Sequence, residues 1–106
     1  MTTFSLSDLE AIIQSRASAS AAESYTRSLL EAGVARTARK FGEEAIEVII
    51  AATQGDRAAV IAESADVCFH LLVMLRACDI PFNEVMSELE RRTGISGHAE
   101  KASRTK

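Results

Sequence analysis

Residues Glu43 to Asp66, EEAIEVIIAATQGDRAAVIAESAD, decide the architecture. They hold E-E-x-x-E at Glu43, Glu44 and Glu47, then E-x-x-D at Glu63 and Asp66, with Gly55 between. At about 100° per helical residue, Glu47 falls ~40° from Glu43 and ~60° from Glu44, so the three share a face. Glu63 and Asp66 are also ~60° apart. Gly55 stops one helix and Asp56 caps the next. Glu47 and Glu63 are each eight residues from Gly55, and Glu44 and Asp66 are each eleven. An antiparallel hairpin therefore sets Glu47 opposite Glu63 and Glu44 opposite Asp66, and four carboxylates converge.

Working outward, the hairpin helices are expected at about 35–53 and 57–77. A first helix is expected from Ser5 to Arg16, with Ser7 and Glu10 in capping-box spacing and Leu6, Leu9, Ile12 and Ile13 as its apolar stripe. A looser run from Ala17 to Ser24 leads into a short helix, Ser24 to Ala32, closed by Gly33. Pro81 stands at the start of a fifth helix, about Phe82 to Arg92, ended by Gly94. Ile95 to Lys106 form a polar, basic tail. The reading is a single all-α domain over 1–106, a four- to five-helix bundle around a central antiparallel helical hairpin.

Of the 106 residues 47% are hydrophobic, only 5% are aromatic, and proline occurs once, a balance that favours helices over strands. So apolar a chain of this length is expected to hide part of its surface against a second copy. Val67 to Leu75 is apolar almost all round, so the fourth helix is expected to pack on two sides, in a homodimer or a higher oligomer.

The net charge of −3 argues against general nucleic-acid binding, which needs a basic stripe. The opening residues are polar and acidic, unlike a signal peptide. Val67 to Leu75 is broken by His70 and falls short of the ~20 residues that span a bilayer. A cytoplasmic protein without a membrane role is expected. Cys68 and Cys78 lie ten apart on one helix, ~15 Å along its axis, too far to bridge. They are expected to be reduced, core-filling thiols.

Converging carboxylates repel unless cations neutralise them, and an all-oxygen donor set suits Mg2+, or Mn2+. A solvated acidic face with pairs such as Lys40–Glu44 would explain E-E-x-x-E alone, but not the mirrored E-x-x-D. A di-iron site would require Glu-x-x-His on two helices, and neither helix has one. Arg36 and Lys40 lie within ~60° of Glu43 and Glu47, one and two turns earlier. Cations beside a metal site suit a polyphosphate substrate. His70, four residues after Asp66, reads as a core or interface histidine, with a supporting role to the carboxylates as the alternative. No residue suggests a covalent nucleophile.

The two acidic motifs together resemble the signature of the MazG-like all-α nucleotide pyrophosphohydrolase superfamily. The likeness sharpens at Ser24-Tyr25-Thr26, Leu29-Leu30, Gly33, Arg39-Lys40-Phe41-Gly42-Glu43-Glu44-Ala45, Ala65-Asp66, His70-Leu71-Leu72-Val73 and Glu100-Lys101-Ala102-Ser103-Arg104. These segments, spread over Asp8 to Arg104, resemble the phosphoribosyl-ATP pyrophosphohydrolase family of histidine biosynthesis. Pro81 departs from the small capping residue expected at the start of the fifth helix. The resemblance implies cleavage of phosphoribosyl-ATP between its α- and β-phosphates, giving phosphoribosyl-AMP and pyrophosphate, by a tight homodimer using Mg2+. By motif position it implies Glu44, Glu47, Glu63 and Asp66 as metal ligands, with Glu44 and Glu47 thereby catalytic alongside Glu43, which orients or deprotonates the attacking water. Arg36, Lys40, Lys101 and Arg104 are the candidate substrate-binding cations. The competing readings are a house-cleaning nucleoside triphosphate pyrophosphohydrolase and a non-catalytic helical dimerisation module.

Overall fold

Ser5 sets the first helix. In the computed structural model, which describes residues 3–20 and 24–93, its hydroxyl accepts the Asp8 backbone N–H at 3.2 Å. The Asp8 carboxylate returns the bond to the Ser5 N–H at 2.9 Å. The capping box is thus Ser5–Asp8, not Ser7–Glu10, and α1 runs Leu6–Arg16. The physical reason is that Ser5 is the last extended residue, whereas Ser7 already lies inside the first turn. Of the expected apolar stripe, Ile13 is buried, Leu9 is half-buried, and Leu6 and Ile12 are exposed.

The Ser24 hydroxyl accepts the Arg27 N–H at 3.2 Å and opens α2, Tyr25–Ala32. Gly33 then ends α2 and starts α3, Val34–Thr53, with no residue to spare. Its φ of 93° is open to glycine but strains other residues, which is why this corner can be so abrupt. Gly55, at φ 69°, turns the chain again, and Asp56 caps α4, Arg57–Ala77, by accepting the Ala59 N–H at 3.1 Å. α3 and α4 pack along one another as the antiparallel hairpin.

Pro81 precedes α5, Phe82–Arg92, and provides no side-chain cap. The cap comes from 72 residues away: the Glu10 carboxylate accepts the Phe82 backbone N–H at 2.6 Å. Glu10 therefore serves α5 rather than its own helix. At the other end of α5, hydrogen bonds from Arg91 and Arg92 hold the Glu88 carboxyl down at about 2.

The core lies where α1, α2, the second half of α4 and the start of α5 meet, around Ile13, Leu29, Leu72, Val73 and Phe82. Away from it the hairpin is thinly covered, and Ile46, Ile49, Ile50 and Ile61 are exposed. α4 is 21 residues long, and its most apolar 18-residue stretch has a mean hydropathy of 1.8, long and apolar enough by those measures to cross a membrane. It also carries Arg57, Glu63, Asp66 and Arg76. Both cysteines are free. Cys68 is half-buried, but Cys78 is exposed at the C-terminal cap of α4, which corrects the expectation that both fill the core.

These caps make a direct test. Ser5→Ala should cost about 1 kcal/mol and Ser7→Ala almost nothing. Glu10→Ala should cost about 1.5 kcal/mol, several degrees in Tm, and should speed hydrogen exchange at the Phe82 amide.

Candidate metal and phosphate site

The hairpin brings acidic side chains from α3 and α4 to one side. Glu44, Glu63 and Asp66 each place a carboxylate oxygen within 4.8 Å of the other two. Glu44 and Glu63 are half-buried and Asp66 is exposed. Burial raises the Glu63 pKa first; the charges of Asp66, Glu44 and Glu47 raise it further. Glu47 thus stands outside the close triad, exposed, with its field reaching Glu63. Glu43 is also exposed and lies 3.9 Å from the Lys40 Nζ.

Lys40 is the cation at the edge of the triad. Its Nζ lies 3.3 Å from a Glu44 oxygen, and its side chain is 27% exposed. The hydrogen bond to Glu44 lifts its pKa most, followed by the nearby Tyr25 phenol, and burial opposes both. Arg36, one turn earlier, is exposed. Lys101 and Arg104 lie outside the described residues.

His70 stands one turn beyond Asp66 on α4. It is 6% exposed, and its Nδ1 lies 2.8 Å from the Asp66 carbonyl oxygen. A carbonyl only accepts, so Nδ1 carries the proton and Nε2 presents a lone pair. The Tyr25 hydroxyl donates to that nitrogen across 3.4 Å. The rings of Phe69 and His70 meet edge to face at 5.0 Å. The histidine is a core residue, as expected. Its bond to Tyr25 was not foreseen; the only sign of it in the chain is the Ser-Tyr-Thr segment, in which Ser24 and Thr26 are buried and Tyr25 is exposed.

Three carboxylate oxygens this close, one of them carrying a raised pKa, form a donor set that a hard divalent cation would neutralise. A separate 280 Å³ cavity, lined by Glu10, Gln14, Arg76 and Asp79 among others, includes none of these carboxylates.

Residues 6–93 match the family profile described as phosphoribosyl-ATP pyrophosphohydrolase. The chain belongs to that family. A phosphoribosyl-ATP pyrophosphatase of Methylobacterium nodulans is 59% identical over 98% of this chain and 97% of its own length. One from Allorhizobium ampelinum is 58% identical over 98% and 100%. A third, from Agrobacterium fabrum, is 55% identical over 98% and 97%. The match to the phosphoribosyl-ATP pyrophosphohydrolase family spans all five helices and so includes the hairpin and both acidic motifs.

The sign of the electrostatics is testable. A carboxyl whose folded pKa is raised takes up its proton more readily in the folded state. Its contribution to stability is therefore best at low pH and declines as pH rises from the ordinary carboxylate value through the raised one. In chelator at pH 7, Glu63→Gln should melt at a higher temperature than the parent chain. The gap should close on acidification towards pH 4, as followed by circular dichroism.

Proposed function

We propose that this chain hydrolyses phosphoribosyl-ATP to phosphoribosyl-AMP and pyrophosphate, a step of histidine biosynthesis, as a soluble cytoplasmic enzyme. The observation that carries the chemistry is the oxygen triad of Glu44, Glu63 and Asp66 beside Lys40, in a chain of this family. Glu44, Glu63 and Asp66, joined by Glu47, would hold Mg2+ or Mn2+. Such an ion, when bound, lowers the pKa of water and polarises phosphoryl oxygens. Glu43, exposed beside the triad, orients the attacking water and accepts its proton. Lys40 and Arg36 take charge from the phosphate oxygens. Water adds at the α-phosphorus, the α–β anhydride bond breaks, and pyrophosphate leaves with the displaced electron pair.

We further propose that the working unit is a homodimer built on the hairpin. The radius of gyration is 16.0 Å, against about 13 Å for a compact chain of 100 residues. The exposed Ile49 lines a shallow, mostly apolar depression of 310 Å³ with Ala45, Val48, Ser64, Val67 and Cys68, and Ile46 on the same helix is exposed as well. Gly42 lies on the same side of α3, and a Cβ there would meet nothing within 4 Å in this chain. Glycine inside a helix costs ~0.5–1 kcal/mol relative to alanine, so its presence fits a closely approaching second copy.

Two measurements test these readings. The protein should release pyrophosphate, not orthophosphate, from phosphoribosyl-ATP; EDTA should abolish this, and Glu47→Gln should lower kcat at least a hundredfold with helicity unchanged. Preference for a simple nucleoside triphosphate would favour the house-cleaning reading instead. Light scattering at micromolar concentration should give twice the chain mass, and Ile49→Lys should shift it towards one. A folded monomer in the parent protein would contradict the assembly.

A further inference from the structure

One turn beyond Asp66 lies a bonded pair, His70 and Tyr25, that the reaction does not use. His70 is buried, and both ring nitrogens are engaged: Nδ1–H on the Asp66 carbonyl at 2.8 Å, and Nε2 facing the Tyr25 hydroxyl at 3.4 Å. The first bond stays within one turn of α4. The second crosses to α2, 45 residues away in sequence. Tyr25 stands at the first position of α2 and is 55% exposed, so burial alone does not explain an aromatic residue there. Phe69 flanks it, with the two rings near parallel at 6.4 Å. The phenol is therefore held at its hydroxyl end by His70 and along its ring by Phe69.

A bond from α2 that fixes the imidazole also fixes the α4 turn carrying Asp66, because the same ring holds that turn by its carbonyl. We infer that Tyr25 and His70 are positioning residues that set the Asp66 corner of the triad against α2, and so tune the affinity of the carboxylates for a divalent cation. The inference rests on reading the triad as a metal site. Neither residue is required to touch substrate. Partners that orient ligating groups from behind typically matter by 10- to 100-fold in metal affinity or activity.

The test uses Mn2+ alone, titrated into the full chain by calorimetry or electron paramagnetic resonance. Tyr25→Phe removes one oxygen and keeps the ring packing, so its Tm should stay within a few degrees of the parent. Its Mn2+ affinity should fall about tenfold. In turnover, kcat should fall while KM for the nucleotide stays within twofold, a split that general loosening would not produce. His70→Phe should lose at least as much, and the double variant should lose no more than His70→Phe, since the two residues act in series. Parent-like Mn2+ affinity in Tyr25→Phe overturns the inference, as do losses that multiply in the double variant. If His70→Phe does not fold, Tyr25→Phe decides alone. Failure of the parent chain to bind Mn2+ overturns the metal reading itself, and the positioning role falls with it.

Discussion

Mutual repulsion among carboxylates held at matched heights on two helices is the constraint around which this molecule is arranged. Glu44 projects from α3, and Glu63 and Asp66 project from α4. Neither helix can relieve the strain without sliding or rotating, and the turn at Gly55 forbids sliding. The energy that holds the charges together comes from elsewhere, from apolar burial around Leu72 and Val73 further along α4. Burial at one end of the hairpin thus offsets the repulsion in its middle.

Lys40 eases that repulsion. It sits one helical turn before Glu44 and contacts it, the ordinary i,i+4 pair of a solvated helix. Partly exposed pairs of this kind contribute little to stability, on the order of 0–1 kcal/mol. The greater effect is local, since the Lys40 ammonium lies against Glu44, one member of the triad, and against Glu43 beside it.

Much of this was legible in the chain because it depends on counting. The hairpin helix Arg57–Ala77 follows from Asp56, a capping residue with an apolar run behind it, and the pairing of Glu44 with Asp66 follows from their equal distance to Gly55. Contacts that depend on how helices dock were not legible. Ser7 and Glu10 carry the same three-residue spacing as Ser5 and Asp8, and only the backbone conformation at Ser5 separates the two boxes. Nothing near Pro81 announces that Glu10 will cap α5. The exposure of Cys78 reflects its place at the C-terminal cap of α4, which a reading of both thiols as core-filling does not take into account. Glu47 was placed level with Glu63 by counting; its side chain lies outside the close triad because height along an axis does not fix a rotamer.

Gly33 has a consequence for how this chain can change length. Because one residue both ends α2 and begins α3, the two helices are geared: Tyr25 on one and Lys40 on the other keep a fixed phase. Inserting a single residue at that corner would rotate α3 relative to α2, because the added residue brings its own φ and ψ between the two helices. The acidic face would swing away from the tyrosine, and no slack lies on either side to absorb the rotation. The bend after α1, from Ala17 to Ser20, has no such gearing and can vary in length at little cost. Indels among natural variants should therefore collect after α1 and spare the α2–α3 corner, a pattern set by rotation rather than by contact with any ligand.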